Sequence, residues 1–353
     1  MVKKSIPFSK IYFIVPISGP INGAKMISRY ILNAFEDYNT QLIDTAQAIN
    51  HLDHGSINFD KIVGMIKILY RVVIIKNNSI VYLNYTPQGF ANFRDTIILV
   101  LLRLKRCQIT IHLHTNFIVE KSRLFLKIFI NDTKCITINN YQTEYLKNIV
   151  KVVQINNSLP SIDLTLNPKK KFDTQTLLFF SNICIEKGAL RLLHLFNHLV
   201  KRKKRYKFKI VGGFLDKNIE DIFNDYAAQY NNFELIGYVS DPVLKSELFN
   251  NSSIFLFLSD PFYEASPLVL IESLNFGLPI ISTKQYVLDD INIALNGFIY
   301  QDDVINYTID FIINLLDDYK LYQKVSYSCY LTYCNNYNFD GYISDIKKAI
   351  ING

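Results

Sequence analysis

The chain lacks tryptophan and has few backbone breakers, 13 Gly and 10 Pro among 353 residues. With 49% hydrophobic and 20% charged residues, that scarcity excludes a disordered or fibrous protein. The five cysteines (Cys107, Cys135, Cys184, Cys329, Cys334) are an odd set without a C-x-x-C pair, three of them in or beside apolar runs. Reduced, buried thiols of a cytosolic protein are expected, not a disulfide framework. No two glycines are spaced G-x-G and no G-x-x-x-x-G-K-[ST] occurs, which disfavours a nicotinamide oxidoreductase and a P-loop NTPase. No Asp pair is spaced D-x-D, so a carboxylate-held divalent metal is not expected. His194 and His198 share a helical face but lack the Glu of H-E-x-x-H, and no metal site is read there. No segment reaches the roughly 18 apolar residues of a membrane span; the best run, 96–102, stops at Arg103. Lys3 and Lys4 precede an apolar run broken at Pro16 with no cleavage signature, so a secretory signal is not expected.

What is present is bulk and asymmetry. The 25 Phe and 23 Tyr supply core volume. At about 150 residues per domain, the length predicts two domains. Residues 1–158 hold 19 Lys/Arg against 9 Asp/Glu, whereas residues 159–353 hold 19 against 22. The basic first half is expected to meet an anionic partner, for which nucleic acid, phospholipid headgroups and a phosphorylated lipid all qualify.

Short apolar runs alternate with helical patterns in both halves. Strands are expected at 11–17, 41–43, 80–84, 109–114 and 135–138, with helices at 24–35, 59–70, 93–104 and 121–130. The stretch 157–175 has two Pro, three consecutive Lys and no clear periodicity, which reads as a linker over 159–175. Beyond it, strands are expected at 177–180, 208–211, 233–236, 254–258 and 279–282, and helices at 188–201, 217–230, 242–250, 267–275 and 304–319. A terminal amphipathic helix is expected at 339–350. Such alternation points to βαβ units and parallel sheets: an α/β fold of two Rossmann-like domains, 1–158 and 176–334, facing an interdomain cleft, with the C-terminal residues 335–353 packing back on the first.

The stretch 260–283, DPFYEASPLVLIESLNFGLPIIST, carries the chemistry. It reads strand, loop, helix, strand, with Ser266 as N-cap and Pro267 at the first helical position. The amides of Leu268 and Val269 would then be unpaired at a helix start beyond a strand's carboxyl end, a ready phosphate site. Glu264 lies just before this start, and Glu272 shares a face with Leu268 one turn deeper. Carboxylates there would repel an anion on direct contact, so they make better acceptors for sugar and ribose hydroxyls on either side of it.

This segment resembles the signature of retaining GT-B glycosyltransferases of family 4, E-G-x-P-L-V-x-x-E-A-x-x-x-G-x-P-V-I. Glu264, Pro267, Leu268, Val269, Glu272, Gly277, Pro279 and Ile280 stand at matching places, with Ala265 where Gly is usual. The resemblance implies the GT-B fold, with an acceptor-binding first domain and a nucleotide-sugar-binding second. It gives Glu264 the donor sugar and Glu272 the ribose. LLFFSNICIEKGALRLLHLF (177–196) resembles the family's F-V-G-R-L-x-x-E-K-G, placing Lys187 on the donor diphosphate with Asn182 where Arg is usual. Asn182 donates hydrogen bonds but brings no charge, so Lys187 and the helix start suffice, or a cation such as Lys25 or Arg29 reaches in. KIVGG (209–213) and FELIGYVSD (233–241) resemble further family elements, and Tyr238 and Val239 would meet the nucleobase. Asn296-Gly297-Phe298 matches an N-G-F turn. In the first half, PISGPINGA places Gly23 at a helix start near the diphosphate or acceptor. The element His112-Leu113-His114-Thr115 likens His114 to a histidine near the anomeric centre.

Residues 61–76 and 93–107 mix Leu and Ile with Lys and Arg at helical spacing. That pattern suits peripheral attachment to an anionic leaflet, or equally a core-facing stripe with a solvated rim. No module for nucleic acid is recognisable. The expectation is a retaining glycosyltransferase without cofactor or metal, using a nucleotide diphosphate sugar and a glycan or lipid-linked acceptor. Its place is cytoplasmic, peripheral at the inner face of the membrane, in surface polysaccharide synthesis. A GT-B epimerase or phosphorylase and a non-catalytic sugar-nucleotide-binding protein are the competing readings.

Overall fold

The computed structural model describes residues 10–19, 22–46, 59–116, 133–162, 166–285 and 288–352. The helix expected at 121–130 lies outside the described residues. The chain divides into two compact units, residues 1–157 with 340–353, and residues 158–339.

The first unit holds six parallel strands: β1 Ile11–Val15, β2 Thr40–Asp44, β3 Ile80–Tyr85, β4 Gln108–Leu113, β5 Lys134–Thr137 and β6 Lys151–Gln154. Their order is β2-β1-β3-β4-β5-β6. β1 and β3 are buried along their whole length, as parallel strands covered on both faces must be, and so read as apolar runs, interrupted in β3 by Asn84 alone. Helices Phe59–Val73 and Gly89–Leu104 send Ile68, Val72, Ile98, Leu99 and Leu102 into one core with β1, β3 and β4. The C-terminal helix Phe339–Ile351 is tied to the same sheet. Thr110 Oγ1 donates to Ala349 O (3.3 Å), and Lys134 Nζ donates to Ala349 O (2.9 Å) and Asn352 O (3.0 Å).

The second unit repeats the design with β7 Thr176–Phe180, β8 Lys207–Val211, β9 Phe233–Gly237, β10 Ile254–Phe257, β11 Ile280–Ser282 and β12 Gly297–Ile299. The order β12-β11-β10-β7-β8-β9 is that of a doubly wound sheet whose chain leaves β7 in one direction and β10 in the other. Phe196 packs edge-on against Phe208, Phe233, Tyr226 and Tyr230, filling the space between the helix Ala189–Lys201 and the sheet.

Two expectations are corrected here, and two elements are added. The stretch read as a linker, 159–175, contains the helix Pro168–Thr174, capped by the Asn167 side chain. Buried Lys171 anchors it through Phe249 O (2.9 Å). Its seven residues are too few to show a period. The helix expected at 304–319 ends at Asp317. A second helix, Tyr319–Asn336, follows, started by the Asp318 carboxylate accepting from Lys320 N and Leu321 N. β6 and the helix Asn140–Leu146 were not expected at all, being four and seven residues long.

Candidate active site

In the second unit the adjacent ends of β7 and β10 form the topological switch point, where open α/β sheets bind ligands. Two local features bring the following loops together there. Asp260 N donates to Glu186 O (2.8 Å). Gly188 has φ +90°, and a Cβ on it would lie 2.3 Å from the carbonyl oxygen of Leu258. Only glycine permits that approach, and the preceding Lys187 is thereby set against the β10 loop. Lys187 Nζ meets Glu264 Oε1 at 2.5 Å, with the carboxylate 13% exposed. Glu264 follows a one-turn helix, Pro261–Tyr263, that Asp260 caps by accepting from Phe262 N (2.9 Å).

The helix beyond begins one residue later than expected. Pro267 is the N-cap, not the first helical residue, because its ψ of 113° is extended; the helix is Leu268–Asn275, and no side chain caps it. Ser266 therefore does not have the capping role expected of it. The consequence is chemical. In the first turn Leu270 N donates to Pro267 O (3.1 Å), whereas the amides of Leu268 and Val269 have no carbonyl within the helix to bind, and the N-cap Pro267 has no side-chain acceptor to offer them.

One turn inside this helix, Glu272 pairs with Lys245 of the helix Pro242–Asn250. Burial pushes the Glu272 carboxyl up, and Lys245 opposes that shift. The Lys245 ammonium also stands 5.3 Å from the centroid of the Phe180 ring, at the end of β7. The switch point thus carries two Lys–Glu pairs, both tethered to β7. Asn182 is exposed in the loop after β7. That loop is held by Ser181 N to Val211 O (3.0 Å) and Ile183 N to Gly213 O (2.9 Å). Gly212 lies so close that a Cβ would fall 1.8 Å from Ser181 O. Tyr238, half exposed, and Val239 follow β9 at the same end of the sheet.

The first unit has its own switch point, between β1 and β3. Gly23 opens the helix Gly23–Ala34, capped by the Asn22 side chain accepting from Lys25 N (3.0 Å). Arg29 Nη2 donates to Ile17 O (2.9 Å). At the end of β4, His112 and, just past it, His114 lie ring against ring at 4.1 Å, and the Tyr82 hydroxyl is hydrogen-bonded to His112 Nδ1 at 2.5 Å. Burial drives His114 down to about 4 and His112 well below its ordinary value, so both are neutral. Asn84 Nδ2 donates to Ser28 Oγ (3.0 Å), while Asn84 Oδ1 and the Nε2 atoms of both histidines are buried without a hydrogen-bond partner.

Sequence reasoning missed Lys245, Tyr82, Asn84 and Ser28. For Lys245 nothing in the local sequence pointed to Glu272, 27 residues away. The alternation of Tyr82 with Asn84 in β3 and of His112 with His114 beyond β4 was a usable signal, since alternate strand residues share a face. His194 Nδ1 meets the Tyr300 hydroxyl (3.3 Å). Among the described residues no three His, Cys, Asp or Glu gather as metal ligands would.

Residues 165–331 match the family model described as glycosyl transferases group 1. A Haemophilus influenzae protein described as an uncharacterized glycosyltransferase is 26% identical over 182 residues, 51% of this chain. That alignment spans 48% of the relative, so the chain matches about half its length. Anabaena HepE, solved with UDP-glucose, superposes with a TM-score of 0.72 at 15% identity, over 98% of this chain and 100% of that one. Sucrose-phosphate synthase from Thermosynechococcus elongatus gives 0.71 at 14% identity, over 97% and 98%. At such identities the likeness is one of fold, and the fold is GT-B. Residues 165–331 thus resemble the glycosyl transferases group 1 family, and the two six-stranded sheets match the GT-B fold.

Proposed function

We propose that the chain is a retaining, metal-independent glycosyltransferase of family 4 type. It moves a sugar from a nucleoside diphosphate donor to a hydroxyl of a glycan or lipid-linked glycan. The observation that carries this reading is the Lys187–Glu264 pair at the switch point, beside a helix start without a side-chain cap. In the free protein each carboxylate neutralises a lysine. An arriving diphosphate takes Lys187 and the amides of Leu268 and Val269, and Glu264 is released to accept from sugar hydroxyls. Lys245 supplies the charge that Asn182 does not, and Glu272 turns to the ribose. Tyr238 and Val239 flank the base. In the first unit, neutral His114 offers its unpartnered Nε2 to a sugar hydroxyl, and Gly23 lets a phosphate or acceptor approach the backbone.

The acceptor oxygen bonds to the anomeric carbon on the face from which the diphosphate departs. The carbon–oxygen bond to phosphate breaks, and the diphosphate takes the acceptor's proton. Lysines and helix amides aimed at the departing charge make this electrostatic catalysis. Uridine is the favoured base, because HepE was solved with UDP and with UDP-glucose and S. aureus TarM with UDP. The setting is the cytoplasmic face of a bacterial membrane, in O-antigen, capsule or lipopolysaccharide synthesis.

Thermal shift with UDP, GDP and ADP, with chelator and then with Mg²⁺, tests the donor site. Selective stabilisation by one of them, about 2.7 kcal/mol at a hundredfold excess over Kd and indifferent to chelator, is expected. No shift with any would overturn it. The uncharged Asn182 favours a second reading, a sugar-nucleotide-binding protein without turnover, and an epimerase shares the fold. Mass spectrometry separates the three: a new glycoside, no product, or an isomerised donor.

A further inference from the structure

The helix Phe59–Val73 is apolar on two opposite faces. Ile68 and Val72 enter the core of the first unit. On the other side Phe59, Ile62, Ile66, Tyr70 and Val73 recur every three or four residues, and all are exposed, Phe59 by 78% and Ile66 by 58%. The helix Gly89–Leu104, packed against it, does the same. It buries Ile98, Leu99 and Leu102, yet shows Phe93 and Leu104, the latter 76% exposed. Those two residues lie eleven apart, three helical turns, and so share a face. A helix apolar all round belongs in a core or against lipid, and here one face of each already serves the core.

Apart from Asp60, the exposed charges around these faces are basic. Lys67 and Arg71 are exposed beside the first stripe, with Lys76 and Arg106 exposed beyond the ends of the two helices. The acids within 59–76 and 89–106 are Asp60 and Asp95 alone, and Asp95 is fully buried against Arg94. A second copy would bring cation to cation, since residues 1–158 carry 19 Lys/Arg against 9 Asp/Glu. An anionic bilayer supplies both an apolar layer for the stripe and negative headgroups for the rim. No described helix is long and apolar enough to cross a membrane, so the contact lies on the surface. We propose that the helices Phe59–Val73 and Gly89–Leu104 form a membrane-docking face that inserts its outward apolar side chains into an anionic leaflet. The proposal is independent of the donor site.

The test is flotation of the full chain with vesicles of phosphatidylcholine, alone or mixed with phosphatidylglycerol. Binding is expected only to the mixed vesicles and is expected to weaken with salt. Lys67→Ala and Arg71→Ala should each weaken it about fivefold. Ile66→Glu with Tyr70→Glu should abolish it while leaving the melting temperature unchanged, both side chains being exposed. Wild-type failure to bind mixed vesicles, or binding undiminished in the double variant, would overturn the proposal. So would a lipid-free dimer, seen by sedimentation, that the double variant breaks; the face would then join two copies.

Discussion

Lys245 holds Glu272 through an ion pair while its ammonium stands 5.3 Å over the ring of Phe180. One residue thus touches the last residue of β7 and the helix after β10, the two elements that bound the switch point. Methionine at position 245 keeps the stem's packing but strands a carboxylate that is 13% exposed. We expect Lys245→Met to cost about 1–3 kcal/mol in urea unfolding, with Glu272→Gln added to restore most of it. Calorimetry should show UDP binding weakened about tenfold and uridine binding unchanged. Equal losses for both ligands would confine Lys245 to a structural role.

Lys187 and Glu264 should separate by what each loses. If the proposed donor site is right, Lys187→Ala removes a cation that faces the departing diphosphate and is expected to lower kcat/KM about 10²–10³-fold. Glu264→Gln should retain UDP binding within about twofold in calorimetry while turnover collapses, since a neutral amide still meets a hydroxyl but has one acceptor oxygen fewer. If Glu264→Gln turns over normally, the carboxylate has no part in orienting the sugar.

Gly188→Ala tests the scaffold. The substitution meets the Leu258 carbonyl at 2.3 Å in a left-handed conformation, φ +90°. A loss of at least about 2 kcal/mol is expected, read as a fall in melting temperature. Gly213→Ala, which meets nothing within 4 Å, is the matched control and should change little.

The two neutral histidines of the first unit make its stability depend on pH. Their folded values lie below the unfolded value, His114 at about 4. The unfolded chain therefore binds more protons below about pH 6.5, and stability is complete above that pH and lost as pH falls towards 4. Each histidine contributes a slope of up to about 1.4 kcal/mol per pH unit. His114→Gln should roughly halve the slope in denaturant titrations between pH 6.5 and 4. An unchanged slope would place the protonation elsewhere.

Much of this was legible beforehand. The runs at 11–15, 80–83 and 254–257 are continuous and apolar because their strands are covered on both faces. Helical spacing likewise put Glu272 on the face of Leu268. Short or boundary features were not legible. The seven-residue helix at 168–174 shows no period, and the division at Asp318 depends on a side chain turning back to cap the next helix.

By itself, the sequence determined the alternating α/β order, the absence of a dinucleotide fingerprint, and a helix start flanked by two carboxylates, Glu264 and Glu272. These are local properties, set by dihedral preference and by periods of two and 3.6 residues. Tertiary structure alone decided that Lys187 meets Glu264 across 77 residues and Lys245 meets Glu272 across 27. It also decided which apolar face of the helix Phe59–Val73 is covered. Spacing fixes which side chains share a face, but strand order and packing determine what stands opposite it.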